Sequence, residues 1–168
     1  FRADVASEGG GVRLFDEVDE APGPVTALAN NAGIMQVGTI EEVTAEDLGH
    51  LWAVNLSGPF LCAREAVRRM ARKHGGGGGA IVNISSIAGK KGGRGQRVPY
   101  AASKGAINTM TIGLSNEVAG QRIRVNALLP GLVDPDLHDP LGRQPRLASL
   151  RPTRTIRPAR PPAPVPPP

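Results

Sequence analysis

Three short apolar runs, Val25–Ala29, Ala80–Ser85 and Arg122–Leu129, are each separated from the next by a long stretch of helical periodicity. No other feature restricts the fold as tightly. Runs this short, rich in β-branched residues, read as buried strands. Strands divided by helices imply a parallel sheet in an α/β architecture, with helices over both faces. The intervening helices read as Val12–Val18, with Val12, Phe15 and Val18 on one face, then 44–73, and then Pro99–Ala119. Thr44 stands three residues before Asp47, the capping-box spacing that satisfies free amides of a first turn. Arg68, Arg69, Arg72 and Lys73 gather at the far end, where the helix dipole favours cations. Ala3–Val5 reads as the end of one more strand.

The alternation stops near Asp139. Ten of the sixteen prolines lie beyond it, with six arginines and no acid. Proline fixes φ and removes a backbone donor, so the reading there is a disordered or polyproline-like tail over 140–168, following one domain over 1–139. The chain's net charge of +5 belongs to that tail, because the first 139 residues carry 14 basic against 15 acidic side chains. The body therefore offers no electrostatic reason to bind nucleic acid. No run is long and apolar enough to span a membrane. A single cysteine, Cys62, fits a reducing compartment and a cytoplasmic location, and its apolar surroundings make it a small buried hydrophobe. His50, His74 and His138 lack metal-ligand spacing, so no metal site is expected.

Five consecutive glycines, Gly75–Gly79, have the composition of a phosphate loop but the wrong order. Phosphate loops follow a strand and open a helix, so that helix amides point at the anion. Here the glycines follow a helix and precede a strand, which reads as a flexible connection. The chemistry lies further on. Tyr100 and Lys104 are four apart on a predicted helix and share one face. An ammonium close to a phenol favours the phenolate, and such a tyrosine can act as a general acid or base. The bland alternative is an exposed tyrosine and a solvated lysine. Ser86 sits at the carboxyl end of the Ala80–Ser85 strand, where ligands of open α/β sheets bind; a turn serine is the plain reading. Asn30-Asn31-Ala32-Gly33 closes the preceding strand, Asn55 is polar within an apolar helix and needs partners, and Pro130-Gly131 makes a sharp exit after the last strand.

Taken in order, Asp4-Val5, Asn30-Asn31-Ala32-Gly33, Asn55, Ser85-Ser86, Tyr100-xxx-Lys104 and Pro130-Gly131 resemble the short-chain dehydrogenase/reductase family, over about Ala3 to Asp136. The resemblance implies a Rossmann-like, doubly wound parallel sheet, partial here because the family's first two strands and last strand are missing. It implies an NAD(P)-dependent oxidoreductase that interconverts an alcohol and a carbonyl of a small-molecule substrate. Tyr100 would exchange a proton with the substrate oxygen, and Lys104 would assist it and hold the nicotinamide ribose. Ser86 would orient the substrate oxygen, and Asn55 would kink its helix and hold a relay water. Asp4 and Val5 match the family's adenine contact, Asn31, Ala32 and Gly33 the ribose-lining segment, and Pro130, Gly131 and Val133 the nicotinamide side. The helices 44–73 and 99–119 match the family's usual dimer or tetramer face, implying a homo-oligomer.

The departures shape the expectations equally. The family's glycine-rich pyrophosphate turn is absent, and so is the residue that separates NAD from NADP. Pro135 replaces a threonine near the cofactor, and the sequence after Asp136 looks like a shifted reading frame. Without the missing strands, Val25–Ala29 becomes an apolar edge, with poor stability or aggregation expected. Two other readings therefore stand beside the enzyme. One is an inactive fragment that cannot bind dinucleotide. The other is a binding module in which the Arg/Pro tail recruits a partner. Lys90, Lys91, Arg94 and Arg97 lie near the family's substrate entrance, which fits either an anionic substrate or a solvated loop.

Overall fold

The computed structural model describes residues 3–21, 23–93 and 97–131. The predicted tail, Arg94, Pro135 and Val133 lie outside the described residues. Three parallel strands form one sheet in the order β1 (Ala27–Asn30), β2 (Gly79–Ile84), β3 (Ile123–Leu128). Leu28 pairs with Ile81, and Ile81 with Val125, so the apolar side chains of the three strands fall in one row. A helix, α1, covers Glu8–Asp19 and is longer at both ends than its apolar periodicity predicts. Ser7 caps it by accepting from the Gly10 amide, the role serine favours at a helix start.

The stretch read as one helix over 44–73 is helical without a break from Ala45 to Met70, but carries a π turn inside it and ends in a separate 3-10 turn. Thr44 does cap α2 (Ala45–Trp52), accepting from the Asp47 amide at 3.1 Å. A π turn follows at Ala53–Ser57, then α3 (Gly58–Met70), then a single 3-10 turn at Arg72–His74. The π turn inserts one extra residue, which shifts the phase of the apolar pattern by about 100° between α2 and α3. The last two helices are α4 (Ala88–Lys91) and α5 (Val98–Glu117).

Ala3–Val5 is not a strand. A strand needs a ladder partner, and the edge of β1 is the nearest one in the sheet. Instead the segment is wedged by two glycines. A Cβ on Gly10 would lie 2.0 Å from the Asp4 carbonyl oxygen, and one on Gly58 would lie 2.8 Å from that of Val5. The glycine run also departs from a slack connector. Gly75 and Gly78 hold positive φ, and a Cβ on Gly76, Gly78 or Gly79 would lie within 2.6 Å of neighbouring backbone. Those positions need glycine for close approach rather than for flexibility.

Burial alternates along the strands and shows which face is covered. Asn30, Ile81, Asn83, Ile123 and Val125 are buried, with Leu28 packed beside them against Ala63 of α3 and Ile107 of α5. Ala27, Ala29, Arg124 and Leu128 point the other way and are exposed. Among the described residues the long helices thus share one face, not the two expected. Successive right-handed crossovers running in one direction along a sheet place their helices on the same side. Cys62 is buried in the main core with Ala66, Met70, Ile81 and Phe15, as its surroundings predicted, and burial pushes its thiol upward.

Candidate active site

The carboxyl ends of the three strands bring the predicted residues together. From β2 comes Ser86, whose Oγ accepts a hydrogen bond from the Ala88 amide at 3.1 Å. The plain turn role is therefore filled by a lone pair. Among the described residues the hydroxyl proton has no acceptor, so it can donate to an incoming oxygen. From β3 comes Pro130, whose carbonyl accepts from the Ile87 amide and fixes the Ser86 turn against that strand. Gly131 follows it, exposed.

The start of α5 supplies Tyr100 and Lys104. Pro99 stands in its first turn, where a missing amide costs nothing. Tyr100 is half-buried, and Lys104 is 6 % exposed with its Nζ 5.9 Å from the Tyr100 ring centroid. Nζ donates to the Ile84 carbonyl at 2.8 Å. Burial draws the ammonium below the ordinary lysine range, since desolvation disfavours the charged form.

Asn55 is fully buried within the π turn. Its Oδ1 accepts from the Ile34 amide at 2.8 Å, while Nδ2 donates to the Ile34 carbonyl and to Ser103 Oγ. The residue thus both joins a polar network and ties down backbone. Both it and the lysine border Gly33: a Cβ built there would meet Asn55 Oδ1 at 3.4 Å and Lys104 Nζ at 3.5 Å. Asn31, Ala32 and Gly33 are exposed at the end of β1. Asp4 is exposed, and Val5 lies against Gly58, whose neighbour Pro59 accepts from Asn30 Nδ2 at 3.3 Å. Asp4 and Val5 therefore flank the carboxyl end of β1 without belonging to the sheet.

Sequence reasoning missed a second polar layer beneath these residues. Asn30 Nδ2 donates to Asn83 Oδ1, Asn83 Nδ2 donates to Thr111 Oγ1, and Thr111 Oγ1 donates to the Ile107 carbonyl. Ser85 Oγ donates to the Lys104 carbonyl at 2.9 Å. All four side chains are buried. A signal was available: Asn83 interrupts an apolar run at the inward register shared with Ile81, and an inward polar residue needs partners. Lys90 and Lys91 are exposed on α4, while Arg97 Nε is buried without a hydrogen-bond partner. No group of His, Cys, Asp and Glu that could hold a metal ion occurs among the described residues, and none of their helices is long and apolar enough to cross a membrane.

Comparisons with known proteins show the family. A family model described as short chain dehydrogenase matches residues 1–146. The chain is 49% identical over 152 residues to an uncharacterized oxidoreductase, YgfF, of Escherichia coli strain K12, covering 90% of this chain and 62% of that protein. It is 38% identical over 150 residues to an NADP-dependent (R)-specific alcohol dehydrogenase of Lentilactobacillus kefiri, covering 88% and 58%. Among solved structures, ElxO with NADP bound superposes with a TM-score of 0.72 at 30% identity, over 80% of this chain and 53% of that one. A candidate short-chain alcohol dehydrogenase of Sinorhizobium meliloti 1021 gives 0.77 at 32% identity, over 84% and 55%. The chain belongs to the short-chain dehydrogenase family, and its fold is a partial Rossmann-like α/β sheet. It spans little more than half the length of the relatives it matches.

Proposed function

We propose that this chain is the catalytic portion of an NAD(P)-dependent oxidoreductase that interconverts an alcohol and a carbonyl. The observation that carries the reading is that Asn55 Oδ1 and Lys104 Nζ both border the same space beside Gly33, one helical turn from Tyr100 and beyond the strand that presents Ser86. A nicotinamide dinucleotide, NAD or NADP, supplies or accepts the hydride when bound. Tyr100 gives a proton to the substrate oxygen in reduction and takes it back in oxidation. Lys104 supports that transfer with its charge, and the space beside Gly33 is where a relay water between Asn55 and Lys104 belongs. Ser86 orients the substrate oxygen. Tyr100, Lys104, Pro130 and Gly131 line the nicotinamide and its ribose, Asn31, Ala32 and Gly33 line the adenosine ribose, and Asp4 and Val5 serve the adenine. The residues present fit the nicotinamide end of such a cofactor. The L. kefiri relative uses NADP and ElxO is solved with NADP, which supports a dinucleotide of this class. Exposed Trp52, Phe60 and Ile112, on α2, α3 and α5, support self-association through these helices in a cytoplasmic homo-oligomer.

A specific observation favours a second reading for the chain by itself, that it binds no dinucleotide. Its adenine end consists of Asp4, Val5 and the exposed Asn31, Ala32 and Gly33, with Ala3–Val5 held in no ladder. Incubation with NADH or NADPH and a panel of ketones and 3-oxoacyl thioesters tests both, with nicotinamide absorbance as the readout. The proposal predicts carbonyl-dependent oxidation that Tyr100→Phe lowers by about 100- to 10,000-fold. Absence of nicotinamide binding from either dinucleotide would establish the second reading.

A further inference from the structure

Ser86, Tyr100 and Lys104 come from two elements, the end of β2 and the start of α5, so their function depends on how closely α5 approaches the strand. Two contacts set that approach. Ser85 Oγ, 3% exposed, donates to the Lys104 carbonyl at 2.9 Å, while the Ser85 amide donates to the Leu128 carbonyl at 2.8 Å. Ser85 therefore ties α5 to β2 and β3 at the residue that bears the ammonium. On the far side of the Ser86 turn, Gly89 of α4 lies against the same peptide. A Cβ there would sit 2.6 Å from the Lys104 carbonyl carbon and 2.7 Å from the Gly105 nitrogen. Such separations exclude any side chain at position 89 unless α4 or α5 moves. Gly105 reciprocates, with its own Cβ position 3.3 Å from the Gly89 carbonyl oxygen. Lys104 is thus gripped at both ends by neighbouring residues of one strand, its Nζ on Ile84 and its carbonyl on Ser85.

We propose that Ser85 and Gly89 are positioning residues for the proton-transfer pair, holding the Lys104 peptide against the Ser86 turn so that Tyr100 and Ser86 address one substrate oxygen. The inference rests on the function proposed above. It differs from a general stability role because both contacts converge on one peptide, whereas Ile107 of the same helix packs in the core with Ala63 and Met110.

The test uses the full chain with isotope-labelled lysine and follows each ammonium by NMR against pH. Lys73, Lys90 and Lys91 are exposed, so Lys104 is the one buried member of the four lysines and its signal is separable. Ser85→Ala is expected to let α5 retreat and admit water, moving the Lys104 midpoint upward toward the ordinary value. Ser85→Thr, which keeps the hydroxyl, restores the lower midpoint. Gly89→Ala gives the same upward movement from the other side of the peptide. Ile107→Val, a core change on the same helix, leaves the midpoint in place while lowering the melting temperature. Carbonyl-dependent kcat falls about 10- to 100-fold in Ser85→Ala, because small misplacements of reacting groups are costly. A Ser85→Ala chain whose Lys104 midpoint and kcat match the parent overturns the inference. If that happens while Tyr100→Phe still abolishes turnover, the proposed function survives. Turnover untouched by Tyr100→Phe would instead overturn the function on which the inference rests.

Discussion

The two long flanks of this molecule are held by different forces. The α5 flank is fixed by hydrogen bonds made in the interior: Ser85 to Lys104, Asn83 to Thr111, Asn55 to Ser103. The α1 flank is fixed by Phe15 in the core and by ion pairs at the surface. Arg64 reaches Glu8 at 2.8 Å, and Arg69 reaches Asp19 at 2.6 Å while lying 5.0 Å over the Phe15 ring. Buried polar bonds are directional and costly to leave unmade, so they specify a position. Surface ion pairs contribute little and are screened by salt. The flank with the directional bonds is the one that carries Tyr100 and Lys104. The α1 flank packs on α3, and only Asp4 and Val5 are proposed to act there, at the adenine.

Three substitutions sharpen the contrast. Ile81→Ala, at the fully buried centre of β2, is expected to lower stability by about 2–5 kcal/mol. Leu28→Ala on the edge strand, where the side chain is only half-buried, costs about 1–2 kcal/mol. Chemical denaturation of both variants checks the order, and equal losses would erase the difference between strands. Glu65 is the exception on the α1 side, buried among Arg64, Arg68 and Arg69. Burial alone would raise its carboxyl, but bonds from Arg69 and Arg64 and the charge of Arg68 outweigh it and hold the group below the usual range. A depressed folded value means that the unfolded chain binds more protons, so this stabilisation is present above about pH 4.3 and is lost as pH falls through the folded value. Glu65→Gln should cost about 1–3 kcal/mol at neutral pH and flatten the acid limb of a melting-temperature profile. An unchanged limb would remove Glu65 from the account.

Lysine at Ala27 or Ala29 tests the open edge. Both are exposed on β1, and a charge on an edge strand opposes pairing with a second chain. The variants should self-associate less in sedimentation at high protein concentration, with stability changed by only about 0.5 kcal/mol. A parent chain that stays monomeric and melts cooperatively would contradict the expected edge liability.

Much of this could be read from the residues. Ala80–Ser85 announces a strand by its β-branched run, and Tyr100 and Lys104 announce a shared helix face by spacing alone. Thr44 and Asp47 mark a helix start because capping is local chemistry. What was not legible depends on partners distant in the chain. Ala3–Val5 has strand-like composition, yet a strand exists only beside another strand. The π turn at Asn55 coincides with its side chain binding the Ile34 backbone, a contact between residues 21 apart. The helices share one face because of chain direction across the sheet, which the residues of a single element do not encode. The glycines at 10, 58 and 89 look interchangeable with any turn glycine until the opposing backbone is in view.

The central claim is that the Lys104 edge is specified by interior bonds while the Ala3–Asp19 limb and the β1 edge are only loosely held. Native-state hydrogen exchange read by mass spectrometry tests it most directly. Amides of β2, and of α5 from Ala101 to Thr111, should exchange only through global unfolding, whereas those of Ala3–Val5 and α1 should exchange much sooner, and faster still at high salt. Equal protection of the two flanks, or earlier opening of α5, would contradict the account.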